Sequence, residues 1–243
     1  MLEYVLNFFY PPRCAACGER QPPDADHRVC ARCLARIERL ADPLCEVCGI
    51  PLSGTAAESS GWCVRCAKSP PRFGRARAIA RYRPSASDDS QTVPSIIRRH
   101  KYGLDQSLGH ALAECLGESI PLVENDYDIV IPVPLHRGRL RWRGFNQAAL
   151  LGAAVARRIR CPLDVGTLVR VRATAPQTSQ DHDKRRLNVC RAFAVRRPAR
   201  VANRRVLLVD DVMTTGATAD ECAGTLLAAG ARRVDVFTLA RAL

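Results

Sequence analysis

The chain has 243 residues, 47% of them hydrophobic, enough for one sizeable domain with its own core and a small one beside it. Its 37 basic and 24 acidic residues leave a net charge of +13, which points to anionic partners: phosphates, nucleic acid or acidic lipid heads. No run of about 18 apolar residues exists, so no membrane span is expected. Arg carries almost all of the positive charge, since Lys occurs only at 68, 101 and 184. Arg is the better bidentate phosphate ligand, although a GC-rich genome would also enrich Arg and Ala.

The N-terminal segment MLEYVLNFFYPPRC is apolar but short. It carries Glu3 and has neither a basic start nor a small-residue cleavage site, so an amphipathic helix packed on the body fits better than a signal peptide. The chain is expected to be cytoplasmic.

Eight of the twelve cysteines form four C-x-x-C pairs: Cys14/Cys17, Cys30/Cys33, Cys45/Cys48 and Cys63/Cys66. Gaps of 12, 11 and 14 residues separate them. A C-x-x-C turn aims two thiolates at one metal, and two such turns complete the closed Cys₄ set of structural zinc. Two zinc ions are therefore expected. Disulfides fit poorly in a chain without a secretion signal. A thioredoxin-like motif needs one pair beside a βαβ unit, not four in tandem, and iron–sulfur ligation would have less regular spacing. Sequential pairing gives Cys14/17/30/33 and Cys45/48/63/66; a cross-brace would join the first pair to the third. Sequential pairing closes shorter loops at lower entropy cost. The isolated Cys115, Cys161, Cys190 and Cys222 read as buried core residues.

Ser69 to Ala78 (SPPRFGRARA) looks like a linker. It divides the chain into a cysteine-rich region, residues 1–75, and a larger domain, residues 76–243. Beyond it, strands are expected at Arg77–Tyr82, Ile129–Val133, Asp164–Val169, Val206–Val209 and Val234–Leu239. Helices are expected at Pro94–Lys101, Ser107–Ser119, Asn146–Arg158 and Ala217–Ala229. This alternation predicts an α/β fold, a parallel sheet flanked by helices. Ser85–Thr92 reads as a polar loop.

Three clusters bear on chemistry before the last strand. Lys101, between His100 and Tyr102, could reach a phosphate or be an ordinary surface lysine. The run PVPLHRGRLRWRGFNQA follows the strand at Ile129–Val133, and no acid lies between Ile129 and Leu163. A basic loop at the carboxyl end of a strand is a candidate pyrophosphate site, with Arg137, Arg139, Arg141 and Arg143 as its cations and His136 within it. Thr174–Phe193 is polar and then basic, a hood near the site in which Lys184, Arg185 and Arg186 could meet phosphate or nucleic acid. His182 there lacks a third partner for a metal.

Residues Val206–Thr218 read VLLVDDVMTTGAT. Four aliphatic residues form a strand buried in a parallel sheet, ending where Asp210 and Asp211 should emerge. The small turn Thr214-Thr215-Gly216-Ala217-Thr218 then opens a helix, whose first N–H groups and positive dipole end suit a phosphate. The two carboxylates suit sugar hydroxyls, or Mg²⁺ through its waters.

This run resembles the phosphoribosyl-pyrophosphate (PRPP) loop of type I phosphoribosyltransferases. The resemblance implies that Asp210 and Asp211 grip the ribose hydroxyls while Thr214, Thr215, Gly216, Ala217 and Thr218 hold the 5-phosphate, with Mg²⁺ accompanying PRPP. Taken with the C-x-x-C pairs, Arg99–Tyr102, the RGFNQ signature at Arg143–Gln147, the APQT…NV..AF stretch and the Leu239-Ala240-Arg241 tail, the whole chain resembles the ComF family. That likeness implies a type I phosphoribosyltransferase fold behind an N-terminal double zinc ribbon. It also implies PRPP as a ligand, and handling of single-stranded DNA in natural transformation alongside competence or DNA-processing proteins. His100 departs from the family, which usually carries an apolar residue there.

Three functions stay open at this point. The chain could be a transferase that passes phosphoribose to a base no residue here identifies. It could be a nucleic-acid-binding factor, with Tyr102, Trp142 and Phe145 as stacking platforms. It could also be an adaptor that captures a partner through residues 1–75.

Overall fold

The computed structural model describes residues 11–22, 24, 25, 27–54, 60–83, 92–102, 108–116, 125–173, 187 and 189–243. The expected N-terminal amphipathic helix, Ser85–Gln91 of the polar loop, and residues 174–186 with His182, Lys184, Arg185 and Arg186 lie outside them. So does the Lys101 side chain.

Two short helices, α1 (Ala31–Ala35) and α2 (Val64–Lys68), belong to the cysteine-rich region. Strand β1 (Ala76–Tyr82) follows, then helices α3 (Thr92–Tyr102) and α4 (Leu108–Leu116). Strand β2 (Ile129–Pro132) leads into α5 (Arg137–Arg143) and α6 (Gln147–Arg158). After β3 (Leu168–Arg170) and β4 (Phe193–Val195) come β5 (Arg205–Met213), α7 (Ala217–Ala228) and β6 (Arg233–Ala242).

Four strands form one parallel sheet in the order β1-β6-β5-β2, as the α/β reading predicts. Alternation along β5 feeds both faces. Leu207 and Val209 pack with α3, α4 and α6 on one face, whereas Val206 and Leu208 pack with α7 on the other. All four are fully buried, which is why their run carries no polar alternation.

Three sequence expectations need correction. The strand expected at Asp164–Val169 is shorter and later: Leu168–Arg170 pairs antiparallel with β4 in a separate two-stranded sheet. Asp164 instead makes a turn, its carboxylate accepting from the N–H groups of Gly166 and Thr167, the local bond that competes with a strand ladder. The basic run after β2 is not a loop but the helix α5, started by the His136 ring accepting from the Gly138 N–H and closed by Gly144 in the left-handed region. Of the isolated cysteines, Cys115 and Cys222 are buried, but Cys161 is half-buried and Cys190 exposed. Burial pushes the Cys115 thiol up to about 12, as expected of a core thiol rather than a ligand.

The cysteine-rich region docks along the β1 edge. Leu40 donates to the Ile79 carbonyl and Arg81 to the Glu38 carbonyl, so residues 38–40 run antiparallel to β1 and cover its open edge. The first four cysteines pack into the α3/α4/α6 face and the second four into the α7 face. Gly49 marks a close backbone approach: its φ is +68°, and an added Cβ would lie 2.5 Å from the Ala76 carbonyl oxygen.

Gly49→Ala is expected to destabilise the protein by about 2 kcal/mol or more, combining a left-handed backbone penalty with a backbone clash. Urea unfolding of the two proteins measures it.

Candidate functional site

The site forms where β5 leaves the sheet. Strand β2 ends with Pro132 opposite Val209, and the Val133 N–H still reaches the Val209 carbonyl. Strand β5 does not stop at the acids, as its sequence implied; it continues to Met213, paired among the described residues with β6 alone. Residues 210 to 213 therefore lie at the carboxyl ends of the strands, the usual ligand position in such sheets.

Asp210 and Asp211 are both half-buried here. Asp210 Oδ1 accepts from the Asp211 N–H at 2.9 Å, and Asp211 Oδ1 accepts from the Val212 N–H at 2.8 Å.

The turn after β5 has the expected form. Gly216 sits at φ +84° as the N-cap of α7. That angle is what requires glycine there. Thr215 Oγ1 accepts from the Ala217 N–H at 3.3 Å. The remaining first-turn N–H groups have no acceptor inside the helix. Ala217 is buried, while Thr214, Thr215 and Thr218 are half-buried around the turn.

The candidate pyrophosphate arginines do not act as one group. A two-residue spacing on a helix turns successive side chains about 200° apart. Arg137 and Arg141 are exposed on α5. Arg143 donates to Gln147 Oε1 at 3.2 Å. Arg139 alone of the four lines a cleft of about 470 Å³, together with His136, Gly138, Trp142, Arg170 and Ala173.

Arg170 is the site residue that sequence reasoning missed. It ends β3, where His136 pairs with it in a parallel bridge, and its guanidinium lies 5.3 Å from the Phe193 ring centroid. Burial, and then repulsion from Arg139, pull its pKa down; the Cys222 thiol and the Asp210 carboxylate act the other way. The only signal in the sequence is the basic run LVRVR at Leu168–Arg172.

Of the three proposed stacking aromatics, Trp142 is 62% exposed and lines the cleft. Phe145 is only 7% exposed and belongs to the core. The Tyr102 side chain lies outside the described residues.

The cysteines gather in sequential order, as the loop-length argument favoured. Cys14, Cys17, Cys30 and Cys33 form one cluster and Cys45, Cys48, Cys63 and Cys66 another, with sulfurs no more than 4.8 Å apart in each. A tetrahedron of zinc–sulfur bonds of about 2.3 Å has edges of about 3.8 Å, and Cys48 Sγ to Cys63 Sγ is 3.7 Å. Both clusters have one design. A turn ending in Gly18 or Gly49 bonds back to Cys14 or Cys45. The N–H of Cys30 or Cys63 then donates to the sulfur of Cys14 or Cys45 at 3.3 Å. Two Cys₄ sites of this kind fit structural zinc.

A double zinc ribbon domain model matches residues 5–69, and a phosphoribosyl transferase domain model matches residues 146–243. The chain is 34% identical to the DNA utilization protein YhgH of Salmonella typhimurium, across 96% of this chain and 98% of that one. It is 30% identical to competence protein F of Haemophilus influenzae, across 98% of this chain and 100% of that one. The chain belongs to the ComF family. Another ComF relative, competence protein ComFC of Bacillus subtilis, is 28% identical over 89% of this chain and 85% of its own length. The glutamine PRPP amidotransferase of B. subtilis overlays 58% of this chain and 26% of its own, at 22% identity and a TM-score of 0.35; the family assignment rests on the sequence relatives. Among the described residues, no helix of this ComF protein is long and apolar enough to cross a membrane.

Metal analysis of the purified protein is expected to find two zinc ions per chain, and Cys66→Ala to leave one. Native mass spectrometry counts them. Tryptic cleavage at Arg65 should accelerate at least about ten-fold in that variant, since closed zinc sites supply folding energy directly.

Proposed function

We propose that this chain binds PRPP at the carboxyl end of β5 and uses that site in the handling of single-stranded DNA during natural transformation. The observation that carries the reading is the geometry of residues 210 to 218. Two half-buried acids lie where β5 outruns β2, followed a few residues later by a glycine-pivoted helix start. The turn at Thr214–Thr218 offers N–H groups and hydroxyls to the 5-phosphate, and Asp210 and Asp211 accept from the ribose hydroxyls. Mg²⁺ takes hard oxygen ligands, so the acids and the PRPP phosphates suit it; when bound, it would neutralise the pyrophosphate charge.

Arg139 and Arg170, in the cleft beside Asp210, are the cations for the pyrophosphate end. Arg137, Arg141 and Arg143 fit that role less well, since α5 disperses them. Support for the DNA role comes from the net charge of +13, the exposed Trp142 beside two arginines, and relatives named for DNA utilization and competence. Stacking on an indole and backbone contact with guanidiniums is the general recipe for single-strand binding.

A second reading, an active phosphoribosyltransferase, is favoured by the open cleft of about 470 Å³, whose Arg170 feels the Asp210 charge and which has room for an acceptor. An adaptor acting through residues 1–75 alone fits less well, because both ribbons are packed into the sheet cores.

Calorimetric titration with PRPP and Mg²⁺ tests the first reading: the intact protein should bind, and the Asp210→Asn/Asp211→Asn variant should lose at least about ten-fold in affinity, as charged hydrogen bonds are removed. Absence of binding by the intact protein would sink it. Release of pyrophosphate on adding a base would establish the transferase.

Single-stranded DNA binding should weaken steeply with salt, and Trp142→Ala should cost about ten-fold at fixed salt, the scale of one stacked base. Fluorescence anisotropy with a labelled oligonucleotide measures both, and an unchanged affinity in Trp142→Ala would remove this cleft from the DNA path.

A further inference from the structure

The second cysteine cluster lies directly beneath the turn that follows β5. Arg65, on α2 between Cys63 and Cys66, donates from Nη1 to the Thr215 carbonyl at 3.0 Å. Arg241, near the end of β6, is 2% exposed. It donates from Nη1 to the Met213 carbonyl at 2.9 Å and to the Thr214 carbonyl, and it lies close enough to Cys48 for the two to interact electrostatically. Two guanidiniums, one carried by the second ribbon and one buried beside its Cys48, therefore grip three successive carbonyls of the turn.

A trans peptide points its N–H opposite to its C=O. Drawing the carbonyls of 213, 214 and 215 toward these two guanidiniums turns the N–H groups of Thr214, Thr215 and Gly216 away from them. Successive N–H groups aimed at one point form an anion-binding concavity. Left alone, such a turn has no reason to keep three carbonyls on one side. The linker adds a hold on the helix behind it. Arg72 bonds through its backbone N–H to Asp220 at 2.6 Å and through its guanidinium to Asp220 and Glu221, and Phe73 packs near Gly216.

The first cluster makes no such contact among the described residues. Its bonds run to the helices: Glu114 of α4 accepts from the N–H groups of Arg28 and Val29, and Thr92 of α3 donates to the Cys33 carbonyl.

We infer that Arg65 and Arg241 are positioning residues for the phosphate turn, and that the second Cys₄ site, not the first, holds them in place. The two ribbons thus have different duties: one stabilises the helical layer, the other shapes the anion site. This deepens the reading of that turn as a phosphoribosyl site. By linkage, whatever the second ribbon does to ligand affinity, the ligand does equally to the ribbon.

The test uses the full-length, zinc-loaded protein with Arg65→Met, Arg65→Lys, Arg241→Met and, as a control on the first ribbon, Arg32→Met, whose side chain pairs with Glu19 on the surface. Two readouts are taken with the zinc count. One is exchange of the Asp220 amide, which donates to the Gly216 carbonyl at 2.8 Å and needs no ligand. The other is affinity for PRPP with Mg²⁺. In Arg65→Met and Arg241→Met, exchange should quicken and affinity fall, each about ten-fold, within the usual span of site-to-site coupling, with both zinc ions retained. Arg65→Lys should recover most of both, and Arg32→Met should change neither. Wild-type exchange and affinity in Arg65→Met and Arg241→Met would overturn the proposal. Faster exchange in an intact fold that binds no PRPP would uphold the brace and reject PRPP as the ligand.

Discussion

Val206 to Val209 are sealed from solvent on both faces of the sheet, and the site follows from where β5 escapes that enclosure. A doubly buried strand carries a polar group at a high cost unless that group finds a partner. Here β2 ends first, opposite Val209, and the next residue is Asp210. The acids sit at the first position where a carboxylate can reach solvent, and the turn sits at the next place where backbone N–H groups lack partners. Core packing upstream thus holds the polar chemistry downstream on rigid support, the arrangement that a precise ligand site needs.

The cysteine-rich region depends on the same sheet in another way. Its described residues include few large apolar side chains, and its folding energy has to come from metal sites and from docking. Docking is extensive: backbone bonds from residues 38–40 close the β1 edge, and each cysteine cluster merges into the core of one face. The ribbons behave as two clips at one edge of the sheet, one on each side. Because they share a sequence pattern but face different neighbours, the same Cys₄ design meets α3 and α4 in one case and the turn after β5 in the other.

Much of this was legible in the chain. Four C-x-x-C pairs at near-even spacing announce two tetrahedral thiolate sites, since few other ligand chemistries use that pattern. The buried run at Val206–Val209, the acids and the TTGAT turn announce their places because strand burial and helix starts are local properties. What misled was also local. Arginine at every second position suggested one basic loop, yet the same residues make the helix α5, capped by His136 and Gly144. Asp164 looked like the start of a strand but spends its carboxylate on a turn.

The sequence by itself determined the fold class, the two metal-binding sets and the order of acids, turn and helix, because each depends on residues within one short window. Only the tertiary structure decided which groups converge. Arg170 joins Arg139 and Trp142 across some 30 residues, and Arg65 meets Thr215 across 150. Contacts at that separation are set by how layers stack and where edges are covered, a sum over the whole core that no single stretch of the chain records.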